Sequence, residues 1–162
     1  HTRALWWSHE YHHSATSFTV FTSHRTHPLE PLLQAAAAAI PMLVLGSEIR
    51  DVFLASLFFQ VYGLFLHTRV DWSYGWIGRY VLFNPGHHRQ HHRLDGIGGN
   101  YGTIFVWWDK LLGTFEPPAP HGTPLGVVGT RFNAAPVLVE PLLFLQDFAR
   151  WVRSEVRRLR HG

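Results

Sequence analysis

Cysteine is absent from this 162-residue sequence, and charged residues are scarce. Without cysteine the chain forms no disulfide, zinc ribbon or thiolate metal cluster. Charged residues make up only 15% of the chain and hydrophobic residues 46%, with seven Trp and twelve Phe. This balance indicates a membrane-embedded domain rather than an ordinary soluble one. The net charge is +3, but the basic residues flank apolar segments rather than a recognition fold, so we expect no nucleic-acid partner.

Two uncharged stretches, residues 31–47 and 52–66, are separated by a short gap that contains Glu48, Arg50 and Asp51. This pattern predicts an integral-membrane helical hairpin at about residues 31–66. At about 1.5 Å per residue each arm reaches roughly 22 to 26 Å, slightly less than a ~30 Å hydrocarbon core. The alternative is a buried hairpin in a soluble helical bundle.

Thirteen histidines are present, and six of them form two copies of His-x-x-His-His. Residues i, i+3 and i+4 share one face of a helix, so each copy presents three imidazoles on one side. Neighbouring residues within a copy diverge by about 100°, which favours two metal ions shared by both copies over one ion in each. The two boxes are His9, His12 and His13, and His88, His91 and His92.

The predicted hairpin brings the residues that follow it back to the membrane face that the residues before it occupy. His67 stands at this return, so it can meet both boxes on one face. The hairpin tip has a net charge of −1, whereas five arginines follow residue 149. The positive-inside rule therefore predicts that the His boxes and the C-terminus are cytoplasmic, in a His-rich helical cap. The predicted fold class is all-α.

The last part of the chain has a different pattern. Residues 116–136 are rich in Pro and Gly and predict a loop. Residues 137–162 predict a basic amphipathic helix, with apolar residues at three- and four-residue steps and arginines on the other face. Such a helix lies along a membrane surface or packs on its own domain.

Several metal chemistries are compatible with these histidines. His9, Glu10 and His13 also spell the His-Glu-x-x-His of zinc proteases, but that site leaves His12 and the second box unused. A carboxylate-bridged di-iron bundle needs two Glu-x-x-His pairs, and only Glu10 with His13 is found. Non-catalytic metal storage or transport leaves the apolar surroundings unexplained. A His-rich dimetal site that activates O2 uses both boxes, and O2 activation requires a redox metal such as iron.

The sequence resembles the fatty acid hydroxylase and sterol desaturase superfamily, which are integral-membrane di-iron oxygenases. The resemblance covers about residues 1–115, predicted as one His-box domain. The matching motifs are Leu5-Trp6 followed by the first box and Ser14; Arg25-Thr26-His27-Pro28-Leu29-Glu30; Pro85 followed by His88-Arg89 and the rest of the second box; and Asn100-Tyr101-Gly102 with Trp108-Asp109-Lys110-Leu111 and Gly113-Thr114.

The resemblance implies O2-dependent hydroxylation or desaturation of a membrane lipid by two iron ions, with zinc able to replace iron on purification. It also implies a separate electron donor of the cytochrome b or ferredoxin-reductase type, and a place in a bacterial inner membrane. His1 matches the last residue of an earlier family box, so we expect the chain to be N-terminally truncated. The catalytic metal ligands implied are His9, His12, His13, His67, His88, His91 and His92, with His1 as a further metal ligand.

Other polar residues are expected to have different roles. At residues 66–71 many relatives read Gln-His-x-Asn, and Leu66 and Arg69 replace the Gln and Asn. His27 and Glu30 are expected to orient ligands or to cap the following helix, because metal-bound imidazoles donate their second N–H to a carboxylate or carbonyl. Further candidates for that role are Asp71, Asp95 and Asp109, whereas His24, His87, His121 and His161 are not expected to bind metal.

The aromatic stretch from Trp72 to Phe83 has two interpretations. It is either a wall of the apolar channel that leads to the metal site or an interfacial aromatic belt.

Overall fold

Helices form all the regular secondary structure in the part of the chain that the computed structural model describes, residues 3–95, 98–132 and 140–161. No strand occurs in these ranges beyond two isolated bridges, Leu82 with Phe105 and Arg93 with Leu125. The all-α prediction is confirmed. The helices are α1 (Arg3–His13), a 3-10 helix (Val20–His24), α2 (Leu29–Val44), α3 (Ile49–Leu66), α4 (Trp76–Tyr80), α5 (Pro85–His91), α6 (Trp107–Leu112) and α7 (Glu140–His161).

The helices α2 and α3 pack against each other as a hairpin. Gly46 ends α2 with a positive φ of 84°. The Gly46 N–H donates to Leu43 O at 3.0 Å and the Ser47 N–H to Met42 O at 2.9 Å. This pair of bonds is a Schellman motif, which satisfies the last carbonyls of the helix and reverses the chain. The turn is therefore specified by the one glycine that follows the alanine-rich helix.

Among the described helices, α3 is long and apolar enough to cross a membrane, and α2 is a shorter apolar helix of 16 residues. Only 11% of α3 is buried inside the protein. A core helix of a soluble bundle would be mostly buried, so the exposure of residues such as Phe53 and Val61 favours contact with lipid. The length supports one spanning helix and leaves α2 short of a ~30 Å core at ~1.5 Å per residue.

The interior is small and unusually polar. Leu66, Phe83 and Val106 form the buried hydrophobic cluster, with Tyr62 and Phe115 packed against it. Among the described residues, more polar or charged side chains than hydrophobic ones are buried. Buried polar groups are costly unless they are hydrogen-bonded or bind a metal. The interior is therefore organised by its polar contacts, which are described below.

The loop after α5 is tied to that helix by Asn100. This residue adopts a left-handed backbone with φ 52° and is buried. Its Nδ2 donates to His87 O at 3.2 Å and to Glu116 O at 3.0 Å, and its Oδ1 accepts from the Glu116 N–H at 2.8 Å. The side chain of Asn100 thus hydrogen-bonds the backbone of α5 and the backbone at Glu116, and so holds these two segments together.

Asp109, at the first turns of α6, holds the same loop closed. Its Oδ1 accepts from the Tyr101 N–H at 2.7 Å and from Thr114 Oγ1 at 2.6 Å, and its Oδ2 accepts from the Gly102 N–H at 2.8 Å. A Cβ at Gly102 would lie 2.8 Å from Asp109 Oδ2 and from Phe105 O, so only glycine fits here. The motifs around Asn100 and Asp109 are therefore a structural clip behind the second His box.

The C-terminal helix α7 packs on α1 through aromatic side chains. Trp7 stacks on Trp151 with ring centroids 5.8 Å apart, and Tyr11 meets Phe144 edge-on at 4.9 Å. Residues 133–139, which include the predicted start of this helix, lie outside the described residues. The predicted loop at 116–136 contains no helix over the described residues 116–132.

Candidate metal centre

Histidines at the C-terminal ends of three helices, α1, α3 and α5, converge at one end of the α2–α3 hairpin. The first box occupies the last turns of α1, His88 and His91 lie on α5, and His92 follows α5 directly. His67 follows the last residue of α3. The packing of α3 against α5 therefore brings residues far apart in the sequence into one place.

Four of these histidines form what we call the tetrahistidine cluster: His12, His67, His88 and His92. Each offers one ring nitrogen, and these four atoms all lie within 4.8 Å of one another. His67 Nε2 is 3.1 Å from His12 Nε2 and 3.0 Å from His88 Nε2. The cluster thus combines residues of both boxes with the histidine at the hairpin return.

The other three form the trihistidine cluster: His9, His13 and His91. His9 Nε2 and His13 Nε2 are 3.1 Å apart. The ring of His13 stacks on that of His92 at a centroid distance of 4.1 Å, which joins the two clusters. Neighbouring residues of each box belong to different clusters, because the 100° turn between them sends their rings in different directions.

The anchoring of the rings explains why their Nε2 atoms face inward. A neutral imidazole has one N–H donor and one acceptor nitrogen. With the N–H on Nδ1, four rings donate outward and leave the Nε2 lone pair for the cluster. These bonds are His9 to Glu30 Oε1 at 2.8 Å, His12 to Arg25 O at 3.3 Å, His67 to Gly63 O at 2.7 Å and His91 to Gly99 O at 2.8 Å.

His67 takes its anchor from its own helix, since Gly63 lies one turn before it. Leu66, the residue before His67, is buried in the hydrophobic cluster. The ring of His67 is thus oriented by a backbone carbonyl although the side chain next to it in the sequence is apolar.

Burial keeps the imidazoles neutral. Desolvation lowers the pKa of His67 and of His91 to about 4, with the carbonyl hydrogen bond of each ring opposing the shift. Desolvation also lowers the pKa of His12, His88 and His92, and the neighbouring histidines lower it further. Metals bind the neutral imidazole, so the protein holds these ligands ready at physiological pH.

The donor set fits a divalent transition metal in each cluster. Facing lone pairs about 3 Å apart repel each other unless a cation or a proton lies between them. Both ring nitrogens of His92 and Nδ1 of His88 are buried without a hydrogen-bond partner among the described residues. Imidazole nitrogen is a good ligand for iron and for zinc, so this donor set, which contains no thiolate, is compatible with either metal.

Phe18 closes the tetrahistidine cluster, and the sequence patterns did not indicate it. It is 2% exposed, and its ring lies 5.0 to 5.8 Å from those of His67, His88 and His92. An apolar ring at this place excludes water from the imidazoles. Phe18 precedes the 3-10 helix, outside any periodic stretch, so only its three-dimensional position identifies it.

The trihistidine cluster lies nearer the surface, since His9 and His91 are only half-buried. Trp6 lies beside His13 at a centroid distance of 5.4 Å, and Tyr101 beside His91 at 5.8 Å. Two aromatic side chains thus flank this cluster.

The segment from Arg25 to Glu30 positions the first box. Arg25 donates from Nε to Tyr11 O at 3.2 Å and from Nη2 to Ser14 Oγ at 2.9 Å, which caps the C-terminal end of α1. His27 Nδ1 accepts from the Leu29 N–H at 3.1 Å and so caps α2. Glu30 orients His9, as described above. The expectation that His27 and Glu30 cap or orient, rather than bind metal, agrees with these contacts.

The carboxylates of the three aspartates contact arginines or the loop after α5. In the described chain, the side chains of Asp71 and Asp95 pair with arginines, Arg89 at 2.7 Å and Arg93 at 2.7 Å, and Asp109 serves the clip. These contacts give no support to the expectation that the three aspartates orient the ligand histidines, which stays a prediction.

The remaining histidines lie outside both clusters as far as the structure describes them. His24 and His121 are exposed. His87 is buried, but its Nδ1 accepts from the Asn84 N–H at 3.2 Å in a capping box at the start of α5. His1 and the side chain of His161 lie outside the described residues.

The aromatic stretch that begins at Trp72 does not line the clusters. Trp72, Trp76 and Tyr80 are more than half exposed, and Phe83 is fully buried with Leu66 in the hydrophobic cluster. Their exposure favours the interfacial belt over the channel wall.

Comparison with known proteins agrees with this site. Residues 1–114 match the family model described as fatty acid hydroxylase. The chain is 34% identical over 129 residues to ornithine lipid hydroxylase OlsE of Rhizobium tropici, which covers 78% of this chain and 39% of the relative. It is 30% identical over 152 residues to alkylglycerol monooxygenase of Caenorhabditis elegans, covering 91% and 28%. Methylsterol monooxygenase 1 of Danio rerio is 25% identical over 114 residues, covering 70% and 39%.

The chain spans less than half the length of these relatives. No solved structure gives a significant match. The family match covers both His boxes, His67 and the clip, that is, every element that builds the two clusters. Each of the relatives named above is a hydroxylase or monooxygenase of a lipid or sterol. The chain belongs to the fatty acid hydroxylase family.

Proposed function

We propose that this protein hydroxylates a membrane lipid with O2 at a pair of iron ions held by seven histidines. The observation that carries the proposal is the convergence of His9, His13 and His91 in one cluster and of four further histidines in the adjoining one, with the anchored rings facing inward. Iron would supply the change of oxidation state that O2 chemistry requires. Zinc would fill the same sites without that capacity.

The residues of the chain prepare this site before any substrate arrives. Glu30 and the carbonyls of Arg25, Gly63 and Gly99 fix the ring orientations, so little reorganisation accompanies metal binding. Phe18 excludes water from the tetrahistidine cluster. Exclusion of water protects reactive species from side reactions.

The position of the clusters supports a lipid substrate. α3 ends at Leu66, and His67 follows it directly, while α2 begins at Leu29 and Glu30 contacts His9. Both hairpin helices thus have one end at the clusters, and this arrangement supports a site at the membrane face. From this position the metal site would reach a carbon atom close to the polar end of an amphipathic lipid. The relatives act on an ornithine lipid, an alkylglycerol or a methylsterol by their names, which are all amphipathic.

Hydroxylation of a C–H bond by O2 also consumes two electrons and two protons and releases water. We propose that a separate electron donor of the cytochrome b or ferredoxin-reductase type supplies these electrons. The arginine-rich C-terminus supports an orientation with the clusters on the cytoplasmic side, in a bacterial inner membrane.

The competing zinc-protease hypothesis uses His9, Glu10 and His13. It accounts for part of the trihistidine cluster and leaves His12 with no role, although His12 Nε2 lies 3.1 Å from His67 Nε2. Membership of the fatty acid hydroxylase family also disfavours it.

The test compares lipid extracts by mass spectrometry from cells with and without the full-length protein. We expect a lipid that has gained one oxygen atom. His91→Ala should abolish this product, because it removes a ligand, and Glu10→Gln should retain it. Loss of activity in Glu10→Gln with full activity in His91→Ala would contradict the proposal and favour proteolysis.

Orientation is tested separately by single cysteines in this cysteine-free chain. A membrane-impermeant thiol reagent outside intact cells should label Ile49→Cys at the hairpin tip and spare Asp95→Cys beside the second box. Both side chains are exposed in the structure, so protection of position 95 would reflect the membrane. Labelling of position 95 alone would reverse the orientation.

A further inference from the structure

The C-terminal helix α7 has three different faces, and only one of them packs on the part of the protein that the structure describes. At about 100° per residue, Phe144, Asp147 and Trp151 share one side of the helix. This packed face meets α1 and the start of α2: Trp151 stacks on Trp7, and Phe144 lies 4.7 Å from the ring of His27. Asp147 forms an ion pair with Arg131 on the same side.

The second face is an apolar stripe of Leu145, Val152, Val156 and Leu159. These residues lie within an arc of about 60°, roughly 110° from the packed face. Their exposed fractions are 65%, 37%, 42% and 81%, so the described part of the protein does not cover them. A continuous row of exposed aliphatic side chains on a helix marks an interaction surface.

The third face is basic and borders the apolar stripe on its other side, about 120° away. Arg150, Arg153 and Arg157 lie on it, and all three are exposed. The described acidic residues of the helix pair with arginines: Asp147 pairs with Arg131 and lies 3.9 Å from Arg150, and Glu155 pairs with Arg158, which leaves Arg153 and Arg157 on the basic face outside these ion pairs. The outward charge of α7 is therefore positive.

We propose that α7 lies in the interface of an anionic bilayer, with the apolar stripe among the acyl chains and the basic face at the phosphate groups. An amphipathic helix with aliphatic and arginine faces side by side is the shape that suits this environment. An acidic protein partner would explain the arginines but leave the four aliphatic side chains in water.

The location of α7 supports the same occupant. Phe144 packs on His27, and α2 begins two residues later at Leu29. The first turns of α7 thus lie at the level where the apolar hairpin begins. Since α7 also stacks on α1, it holds the helix that carries the first His box against the membrane face.

The experiment uses the full chain in vesicles, with a single cysteine labelled by a small fluorophore. Val156→Cys places the label on the apolar stripe, and Ser154→Cys is the matched control, about 160° away on the same turn. Both residues are exposed, so neither change disturbs packing. The vesicles contain phosphatidylcholine with or without one-third phosphatidylglycerol. Quenching is measured with nitroxide-labelled acyl chains and with aqueous iodide.

In anionic vesicles we expect the label at position 156 to be quenched by the nitroxide lipid and protected from iodide, and the label at position 154 to show the reverse. Each arginine near an anionic surface shifts the membrane equilibrium by about fivefold. Arg150→Gln with Arg153→Gln and Arg157→Gln should therefore release position 156 to iodide in the same vesicles. The enzyme's activity is not the readout, so the outcome is independent of the proposed function.

Equal iodide quenching at positions 154 and 156 in anionic vesicles would overturn the proposal. So would protection of position 156 that appears only after addition of an acidic soluble protein, because the surface would then be a protein-docking site. Protection that is unchanged by phosphatidylglycerol and by the arginine substitutions would also overturn the part assigned to the basic face.

Discussion

Glu30→Gln should weaken metal binding at one cluster and leave the other unchanged. Glu30 is buried, and its Oε1 lies 2.8 Å from His9 Nδ1 in the trihistidine cluster. The substitution keeps the size of the side chain and removes its negative charge. The tetrahistidine cluster is anchored at His12 and His67 by backbone carbonyls, which the substitution does not alter.

The expected magnitude follows from the position of Glu30 behind a ligand. Loss of such an outer partner lowers metal affinity by about 10- to 100-fold, which is about 1.4 to 2.7 kcal/mol. A titration of the metal-free full-length protein with Zn²⁺ against a competing chelator should therefore show one of the two binding steps weakened by this factor and the other unchanged from the wild type. At a chelator-buffered Zn²⁺ concentration that just fills both wild-type sites, elemental analysis of the variant should return about one ion per chain instead of two.

Glu48→Gln is the matched control, because it makes the same chemical change at an exposed carboxylate of the hairpin tip. It should leave both binding steps unchanged. Equal affinity of Glu30→Gln and Glu48→Gln would refute the role of Glu30. Equal weakening of both steps in Glu30→Gln would refute the division of the histidines into two clusters.

Three further predictions test the surroundings of the site. Phe18→Ala should lower the free energy of unfolding by about 3 to 5 kcal/mol in a denaturant titration, because it leaves a cavity. Phe21 is 77% exposed, so Phe21→Ala should change this free energy by less than about 0.5 kcal/mol. Equal effects of the two substitutions would contradict the packing of Phe18 on the cluster. Asp109→Asn should lower the melting temperature but leave two metals per folded chain, since it holds the clip and no ligand; loss of metal at full stability would contradict this. His88→Ala should remove a metal. Its neighbour His87→Ala should retain both metals and lower the free energy of unfolding by more than about 1 kcal/mol, because it removes a cap and also a buried ring; metal loss in His87→Ala would place it in the site.

The helices were predictable where local rules decide them. The two His boxes required helices to present their rings on one side, and α1 and α5 supply these helices. The hairpin was visible from two uncharged stretches around Glu48, although α2 ends at Val44 rather than at residue 47, because Gly46 completes the Schellman turn. The orientation of this hairpin in a membrane stays a prediction.

The outer partners of the ligands were only partly predictable. A carboxylate can be identified from the sequence as a possible partner of a ligand, and Glu30 was expected to orient a ligand or cap a helix. In the structure it orients His9. Asp71 and Asp95 were expected to orient ligands, and in the structure they pair with arginines. Three of the four ring anchors are backbone carbonyls, such as Gly63 O. Every residue has a carbonyl, so no sequence pattern distinguishes the ones that serve.

The sequence by itself determined the chemistry of the site, because it has two identical boxes of three histidines, a seventh histidine at His67, apolar segments beside them and no cysteine. The reason is that residue type and helical period are local properties. Only the tertiary structure decided which histidines share a cluster, because His12 and His67 meet through the packing of helix ends. It also decided that Phe18 closes the site and that the described part of the protein leaves the apolar stripe of α7 exposed, since burial depends on neighbours distant in the chain.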